Sequence, residues 1–245
     1  MLSKPQTIIV TGGTSGIGYA LVDRLHRRGH RLVVLSRSAR KLADLGVKLP
    51  GIDTMAVDLS DTEALAAVWQ AVVERHPEPS VLVNNAGVQF TPTYLDSDFE
   101  LRGIDLELAV NLAAPLHLSW HALRTFHQIG KPAAIVNISS GLAFFPKTQS
   151  AVYCATKAAL HSFSQSLRYQ TQETHVRVVE VILPLVDTPM TEGRGSNKIS
   201  AEEAARQIVR GLASDHEQIW VGKARWLPAL QRVAPSLMRH MMKRG

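Results

Sequence analysis

Tyr153 and Lys157 stand four residues apart in Tyr153-Cys154-Ala155-Thr156-Lys157, a stretch whose pattern predicts a helix. Residues at i and i+4 share one helical face, so a phenol and an ammonium would lie side by side. A lysine charge favours the phenolate and lowers a pKa that is ordinarily about 10. Bringing it near 7 takes about 3 units, or about 4 kcal/mol, which one charge in a partly dry cleft can supply with the help of a cofactor's positive charge. The pair is then a candidate proton donor and acceptor. Tyr-x-x-x-Lys is a common spacing, and its ordinary reading is a core tyrosine beside a surface lysine. The rest of the chain has to decide between the two.

The elements that must position this pair begin with Thr7 to Val10, a short β-branched run that stops at Thr11-Gly12-Gly13-Thr14-Ser15-Gly16-Ile17-Gly18. Helical periodicity follows over Tyr19 to Arg28 and ends at Gly29. The glycines allow a tight turn and let backbone approach a pyrophosphate, whose charge the N–H groups and dipole of the helix start would meet. Their G-x-x-x-G-x-G spacing is a variant of the dinucleotide fingerprint. Gly12, Thr14, Ser15, Gly16, Ile17 and Gly18 are therefore candidate cofactor contacts. A second strand, Arg31 to Leu35, ends in Ser36-Arg37-Ser38, where an NAD-binding chain would usually carry an acidic residue for the adenosine ribose. Arg37 can pair with a 2'-phosphate in a fork, which favours NADP(H) over NAD(H); the plain alternative is a solvated surface arginine.

A third strand, Ile52 to Val57, closes at Asp58-Leu59. Asp58 would either accept from an adenine amino group or cap a turn through Ser60 and Asp61. The fourth, Ser80 to Val83, leads to Asn84-Asn85-Ala86-Gly87, small enough for backbone to lie against a cofactor. Leu101 to Ile129 reads as helix in two pieces interrupted at Pro115, and its Asn111 is a buried amide that must be hydrogen-bonded. Ala133 to Ile138 delivers Ser139 and Ser140 to the carboxyl edge where open α/β sheets bind ligands, and strand alternation sends the two hydroxyls to opposite faces. An apolar loop, Gly141 to Pro146, precedes the Tyr153 helix, which runs to about Gln172. Beyond a sixth strand, Val176 to Leu183, residues Pro184 to Asn197 read as a mobile loop. Ser200 to Ala213 reads as a helix with Ser200 and Glu203 as a capping box, and Ile219 to Val221 as a last short strand. This alternation predicts an α/β fold: a single-domain, Rossmann-like, doubly wound parallel sheet of about seven strands flanked by helices.

At 245 residues the chain suits one large domain. No apolar run is long enough to span a bilayer and no cleavage signal follows the N-terminal β-like stretch, so a soluble, unexported, cytoplasmic protein is expected. Cys154 is the only cysteine and the histidines lack metal-ligand spacing, so neither an intrachain disulfide nor a metal site is expected. The net charge of +6 is uneven: Lys223, Arg225, Arg232, Arg239, Lys243 and Arg244 stand at the end of the chain without any acidic residue, which leaves 21 basic and 21 acidic residues before them. The body is neutral, and the basic balance does not argue for nucleic-acid binding.

With these residues in place the chain resembles the short-chain dehydrogenase/reductase family over about residues 5 to 222. The glycine turn, Asn84-Asn85-Ala86-Gly87, Asn111, Ser140 and Tyr153-x-x-x-Lys157 stand in the family's order, with Ser140 thirteen residues before the tyrosine. That spacing selects Ser140 over Ser139. Ser140-Gly-Leu-Ala-Phe144 and the Tyr153 motif are also similar to a bacterial oxidoreductase subgroup associated with D-alanylation gene clusters. The resemblance implies hydride transfer between nicotinamide and a carbonyl or alcohol. Tyr153 would serve as acid and base, and Ser140 would hold the reacting oxygen. Lys157 would contact the nicotinamide ribose and depress the tyrosine pKa, while Asn111 would hold a water in a proton relay. Leu183 and Pro184 replace the family's Pro-Gly, leaving backbone contacts from Val186 and Thr188 and pointing Leu185 at the pocket wall.

Leu142, Phe144, Phe145, Val88 and Leu185 suggest an apolar small-molecule substrate. The family's habit implies a homodimer or homotetramer pairing the helices that carry Asn111 and Tyr153. A non-catalytic NADP(H)-binding sensor or scaffold acting through its tail is the rival reading, and intact Ser140, Tyr153 and Lys157 count against it. In that tail, residues 223–245, Trp226, Leu227, Leu230, Val233, Ala234, Leu237, Met238 and Met241 recur at three- and four-residue steps between positive charges. Docking on the body or a partner subunit, weak contact with an anionic membrane surface and contact with an acidic protein all fit that pattern; Pro228 and Pro235 restrict a continuous helix.

Overall fold

The computed structural model describes residues 2–214 and 216–244, apart from the side chains of residues 237, 239, 241 and 244. Seven parallel strands form the main sheet: β1 (Thr7–Thr11), β2 (Arg31–Ser36), β3 (Asp53–Ala56), β4 (Val81–Asn84), β5 (Ala133–Ser140), β6 (Val176–Leu183) and β9 (Gln218–Trp220). Their order is β3-β2-β1-β4-β5-β6-β9, so the winding reverses between β1 and β4, which opens a crevice at their carboxyl ends. Strands such as Ile8-Ile9-Val10 and Leu32-Val33-Val34-Leu35 are buried on both faces, which is why they read as unbroken apolar runs rather than alternating ones.

Helices cover both faces. α1 (Gly16–His26), α2 (Ala39–Lys48) and α7 (Ala201–Leu212) enclose one core with Leu21, Leu25, Leu42, Leu45 and Ile208. α3 (Thr62–Arg75), α5 (Ala114–Ile129) and α6 (Ala151–Thr171) enclose the other with Trp69, Leu118, Phe126 and Leu167. The sequence reading passed over α2. Only Leu42 and Leu45 of this helix are buried, too few for a clear periodic signal. Its start is set instead by Ser38, whose hydroxyl accepts the Lys41 N–H at 3.3 Å.

The interruption expected at Pro115 is a π-helical turn, Ala109–Ala113, between α4 (Leu101–Leu108) and α5. Pro115 has no N–H to give to the carbonyl of Asn111 four residues back, and the wider turn accommodates that loss. The stretch after β6 is more ordered than a mobile loop: β7 (Val186–Asp187) pairs with β8 (Ile199–Ser200), and Thr188 and Thr191 cap each other across a short 3₁₀ turn. At α7, half of the expected capping box forms. Ser200 accepts the Glu203 N–H, but the Glu203 carboxylate turns to Arg206 and Gln207.

The basic tail breaks into α8 (Leu227–Val233) and α9 (Pro235–Arg244) and folds back on the body. Leu227 packs over Gly141, Met238 is buried, and Thr148 donates to the Lys243 carbonyl at 2.7 Å. Trp226, Leu230 and Val233 face outward, while the side chains of Leu237, Arg239, Met241 and Arg244 lie outside the described ones. Among the described residues no helix is long and apolar enough to cross a membrane. None of them form a His, Cys, Asp or Glu group that could hold a metal ion.

Candidate active site

The crevice between β1 and β4 is held together by Thr11 and Asn85. The Thr11 hydroxyl accepts the N–H groups of Asn85 and Ala86, each at 3.0 Å, and the Asn85 amide donates to the carbonyls of Thr11 at 2.9 Å and Gly12 at 3.2 Å. The glycine turn and the Asn84–Gly87 segment are therefore one unit. A Cβ on Gly18 would sit 2.3 Å from the Gly12 oxygen and 2.5 Å from the Asn85 amide nitrogen, so the turn closes only on glycine there. Gly12, with φ of +67°, lies so close to Ala86 that a Cβ would come within 2.9 Å of its Cα.

A cleft of about 310 Å³ opens above this floor. Gly12 and residues 14 to 18 line one end, with Ser36, Arg37, Asp58 and Leu59 at the β2–β3 side. Asn85, Ala86, Gly87 and Thr188 line the middle, and Tyr153 and Lys157 the far wall. The residues present fit a dinucleotide: backbone and small side chains form the floor, and α1 starts at Gly16 with its free N–H groups toward the cleft. Val186 is buried in β7 and stands outside the lining, so of the expected loop contacts Thr188 alone reaches the cleft. Asp58 accepts the Ser60 N–H at 2.9 Å and its hydroxyl at 2.7 Å. That is the turn cap, made by a side chain that also faces the cleft. Those two bonds hold its carboxyl below the usual range, with a smaller pull from Arg37.

One charged cleft residue escaped the sequence reading. Lys41, one turn into α2, joins Arg37 at the adenosine end; recognising the Ser38 cap would have found it. Ser139, set aside in the sequence in favour of Ser140, also lines the cleft, and its buried hydroxyl has no hydrogen-bond partner among the described residues. An orphaned buried hydroxyl there is a donor waiting for a ligand.

At the far wall α6 and the end of β5 bring Ser140, Tyr153 and Lys157 together. The Tyr153 pKa is pushed up, first by burial and then by Cys154 and Glu107, while a hydrogen bond from Ser140 and the Arg194 guanidinium draw it down. This differs from the expected lysine-depressed phenol. The Lys157 ammonium lies 5.6 Å from the Tyr153 ring and donates to the Ile138 carbonyl at 2.8 Å, so burial outweighs it at the phenol. Burial brings the pKa of Lys157 down to about 8, and the Glu180 carboxylate pulls it back up.

Asn111 is fully buried and its amide is spent on the protein. Oδ1 accepts the Val88 N–H and Nδ2 donates to the Val88 carbonyl, both at 2.8 Å, with Thr156 further off at 3.4 Å. Its side chain thus fixes the Gly87–Val88 backbone against α6, leaving no amide group for the expected water. Glu107, also missed, is buried one turn before Asn111 and accepts the Phe90 N–H at 2.9 Å; burial raises its pKa. A larger cavity of about 600 Å³ lies beside Glu107 and the start of α6 and does not include Tyr153; Ser140 lines neither this cavity nor the dinucleotide cleft.

The apolar wall expected from five residues is dispersed. Val88 lines the cleft, but Leu142 stands outside its lining, Phe145 is in the interior, Phe144 packs at a tilt against His161 and Trp220, and Leu185 packs over Gly195 rather than facing the pocket. Arg194, held by Gln89 at 3.0 Å, and Lys147, whose pKa is lowered first by burial and then by Arg194, put positive charge on this side instead.

A doubly wound sheet with a glycine-turn cleft and a serine, tyrosine and lysine at its carboxyl edge defines an oxidoreductase that works with a nicotinamide dinucleotide. This chain belongs to the short-chain dehydrogenase family, whose model matches residues 6–199. It is 40% identical over 220 residues to an uncharacterized oxidoreductase, DltE, of Bacillus subtilis, covering 87% of this chain and 86% of that one. With the L-xylulose reductase of Bos taurus it shares 34% identity over 211 residues, covering 86% and 84%. A short-chain dehydrogenase from Sphingobium yanoikuyae in complex with NADPH superposes with a TM-score of 0.82 at 27% identity, covering 95% of each chain.

Proposed function

We propose that this oxidoreductase reduces a small carbonyl compound with NADPH, and runs the reverse reaction on the alcohol, with Tyr153 as acid and base. The carrying observation is the Tyr153 phenol, hydrogen-bonded by Ser140 and flanked by Lys157, at the end of the dinucleotide cleft. Bound there, the nicotinamide supplies or takes the hydride. A phenol whose pKa is raised stays protonated at neutral pH and is ready to donate to a carbonyl oxygen. Ser140 holds that oxygen. Lys157, protonated below about pH 8, steadies the phenolate left behind. Asn111 shapes the Val88 backbone through its side chain, and its main-chain oxygen, lacking a donor at Pro115, is the acceptor left for a relay water.

The preference for NADPH over NADH rests on Arg37 and Lys41 flanking the start of α2, where a 2'-phosphate would meet two cations and a helix N-terminus. Substrates extend beyond apolar ketones, since Arg194 and Lys147 favour a carbonyl compound that also carries a carboxylate. The test is consumption of NADPH and NADH against aldehydes, ketones, keto acids and quinones, with wild type and Tyr153→Phe side by side. Turnover with NADPH that falls by about 10³-fold in Tyr153→Phe is expected; equal turnover by both proteins would overturn the role of Tyr153. Tight NADPH binding without reduction of any carbonyl would leave a dinucleotide sensor acting through residues 223–245.

A further inference from the structure

The face of the sheet under α5 and α6 carries a row of polar side chains where an apolar core is the rule. In-register pairing sets Asn84 beside Asn137, Asn137 beside Glu180, and Glu180 beside Gln218 on β4, β5, β6 and β9. The Asn84 amide donates to Asn137 at 2.8 Å and Ser119 at 3.2 Å, and the Asn137 amide donates to Ser164 at 2.9 Å. Glu180 is the charged member of the row and is fully buried. Its Oε2 lies 2.8 Å from Nδ1 of His161 and accepts from Gln218 at 3.3 Å, while its Oε1 has no partner among the described residues. A buried carboxylate this incompletely satisfied is costly, and nothing in the packing alone requires it.

Its place relates it to the reaction. His161 is one turn beyond Lys157 on α6, so both side chains descend on the same patch of sheet. Lys157 donates to the carbonyl of Ile138, whose register partner Val181 directly follows Glu180. We propose that Glu180 is a positioning residue for Lys157: its carboxylate, anchored by His161 and Gln218, is the fixed negative charge that keeps the lysine an ammonium inside the cleft. This rests on the reading of Lys157 as the partner of Tyr153. The pull of Glu180 on the lysine runs in the required direction, against burial.

The other charged groups around the pair do not replace it. On α6, Arg168 donates to the Val178 carbonyl and points toward Glu217, 3.7 Å away. His216 lies before β9 and bonds Ser214. α5 carries His117 and His121, the pKa of His121 being lowered first by burial and then by His117, and β5 contributes Asn137 and Ser139 at this level.

The experiment is the pH dependence of NADPH affinity, read by NADPH fluorescence, for wild type, Glu180→Gln, Glu180→Leu, His161→Gln and Lys157→Met. In wild type the affinity falls at alkaline pH as Lys157 loses its proton, and Lys157→Met abolishes that inflection. Glu180→Gln moves its midpoint about one pH unit lower. Glu180→Leu does the same and serves where the glutamine variant does not fold. His161→Gln disturbs the same packing but keeps the carboxylate, and leaves the midpoint in place. Midpoints of both folded Glu180 variants that superpose on wild type, with the inflection lost in Lys157→Met, would overturn the role of Glu180 alone. An inflection that survives in Lys157→Met would instead overturn the underlying reading of Lys157.

Discussion

Lys157 shows how a residue can work against the fold that holds it. Its proton is lost near pH 8 in the folded chain and near 10.5 in the unfolded one. Between those values the native state binds fewer protons, so stability rises with pH across that window, and below about pH 8 the whole cost of burying the charge is present. The shift of roughly 2.5 units corresponds to about 3 kcal/mol, of which the bond to the Ile138 carbonyl recovers about 1. Lys157→Met is accordingly expected to raise stability at pH 7 by about 2 kcal/mol while removing turnover. Urea titrations at several pH values check this: the gain should shrink as pH approaches 10.5, and a variant less stable than wild type at pH 7 would contradict it.

Among the elements, the glycine turn is constrained most tightly. Because the missing Cβ of Gly18 would strike backbone at 2.3 Å rather than a movable side chain, Gly18→Ala must displace the Gly12 peptide or the Asn85 amide. A loss of about 2–3 kcal/mol and NADPH affinity weakened by at least tenfold are expected, measurable by thermal unfolding and fluorescence titration. The start of α2 makes a different prediction. Arg37→Ala with Lys41→Ala removes the two cations facing the 2'-phosphate position and should lower NADPH affinity by about 10²-fold, at up to 1.4 kcal/mol for each cation, with NADH affinity little changed. Equal losses for both dinucleotides would mean that the two residues act on α2 itself.

On the scale of the whole molecule, exposed apolar side chains gather on the helices that flank the active site. Leu101 and Leu108 on α4, Trp120 on α5 and Tyr169 on α6 stand 42–73% exposed. We propose that two copies pair through these helices, which would stiffen the scaffold of Asn111 and Tyr153 in both. Light scattering should give a multiple of 26.9 kDa for wild type and 26.9 kDa for Trp120→Glu; a monomeric wild type would rule the pairing out. The tail enters at the same scale. With Leu227 over Gly141 and Lys243 tied to Thr148, it braces the loop between Ser140 and Tyr153 rather than hanging free as a basic arm.

The strand positions and the glycine turn of the cleft were legible in the sequence because both depend on local signals: apolar runs of strand length, glycines where a Cβ cannot fit, and short spacings such as Tyr153 to Lys157. The seven strands fall within a residue or two of their expected ends for that reason. What the sequence left open depends on partners brought from far along the chain. That Ser139 rather than Ser140 lines the cleft, where the Asn111 amide spends its bonds and how Leu185 turns are set by packing between β5, β6 and α6. The protonation of Tyr153 and Lys157 was least accessible of all, since burial and the charges of Glu107, Arg194 and Glu180 outweigh the i, i+4 pairing. The sequence alone determines which groups are available for chemistry; their pKa values follow from how far folding removes each from water and which charges it sets beside them.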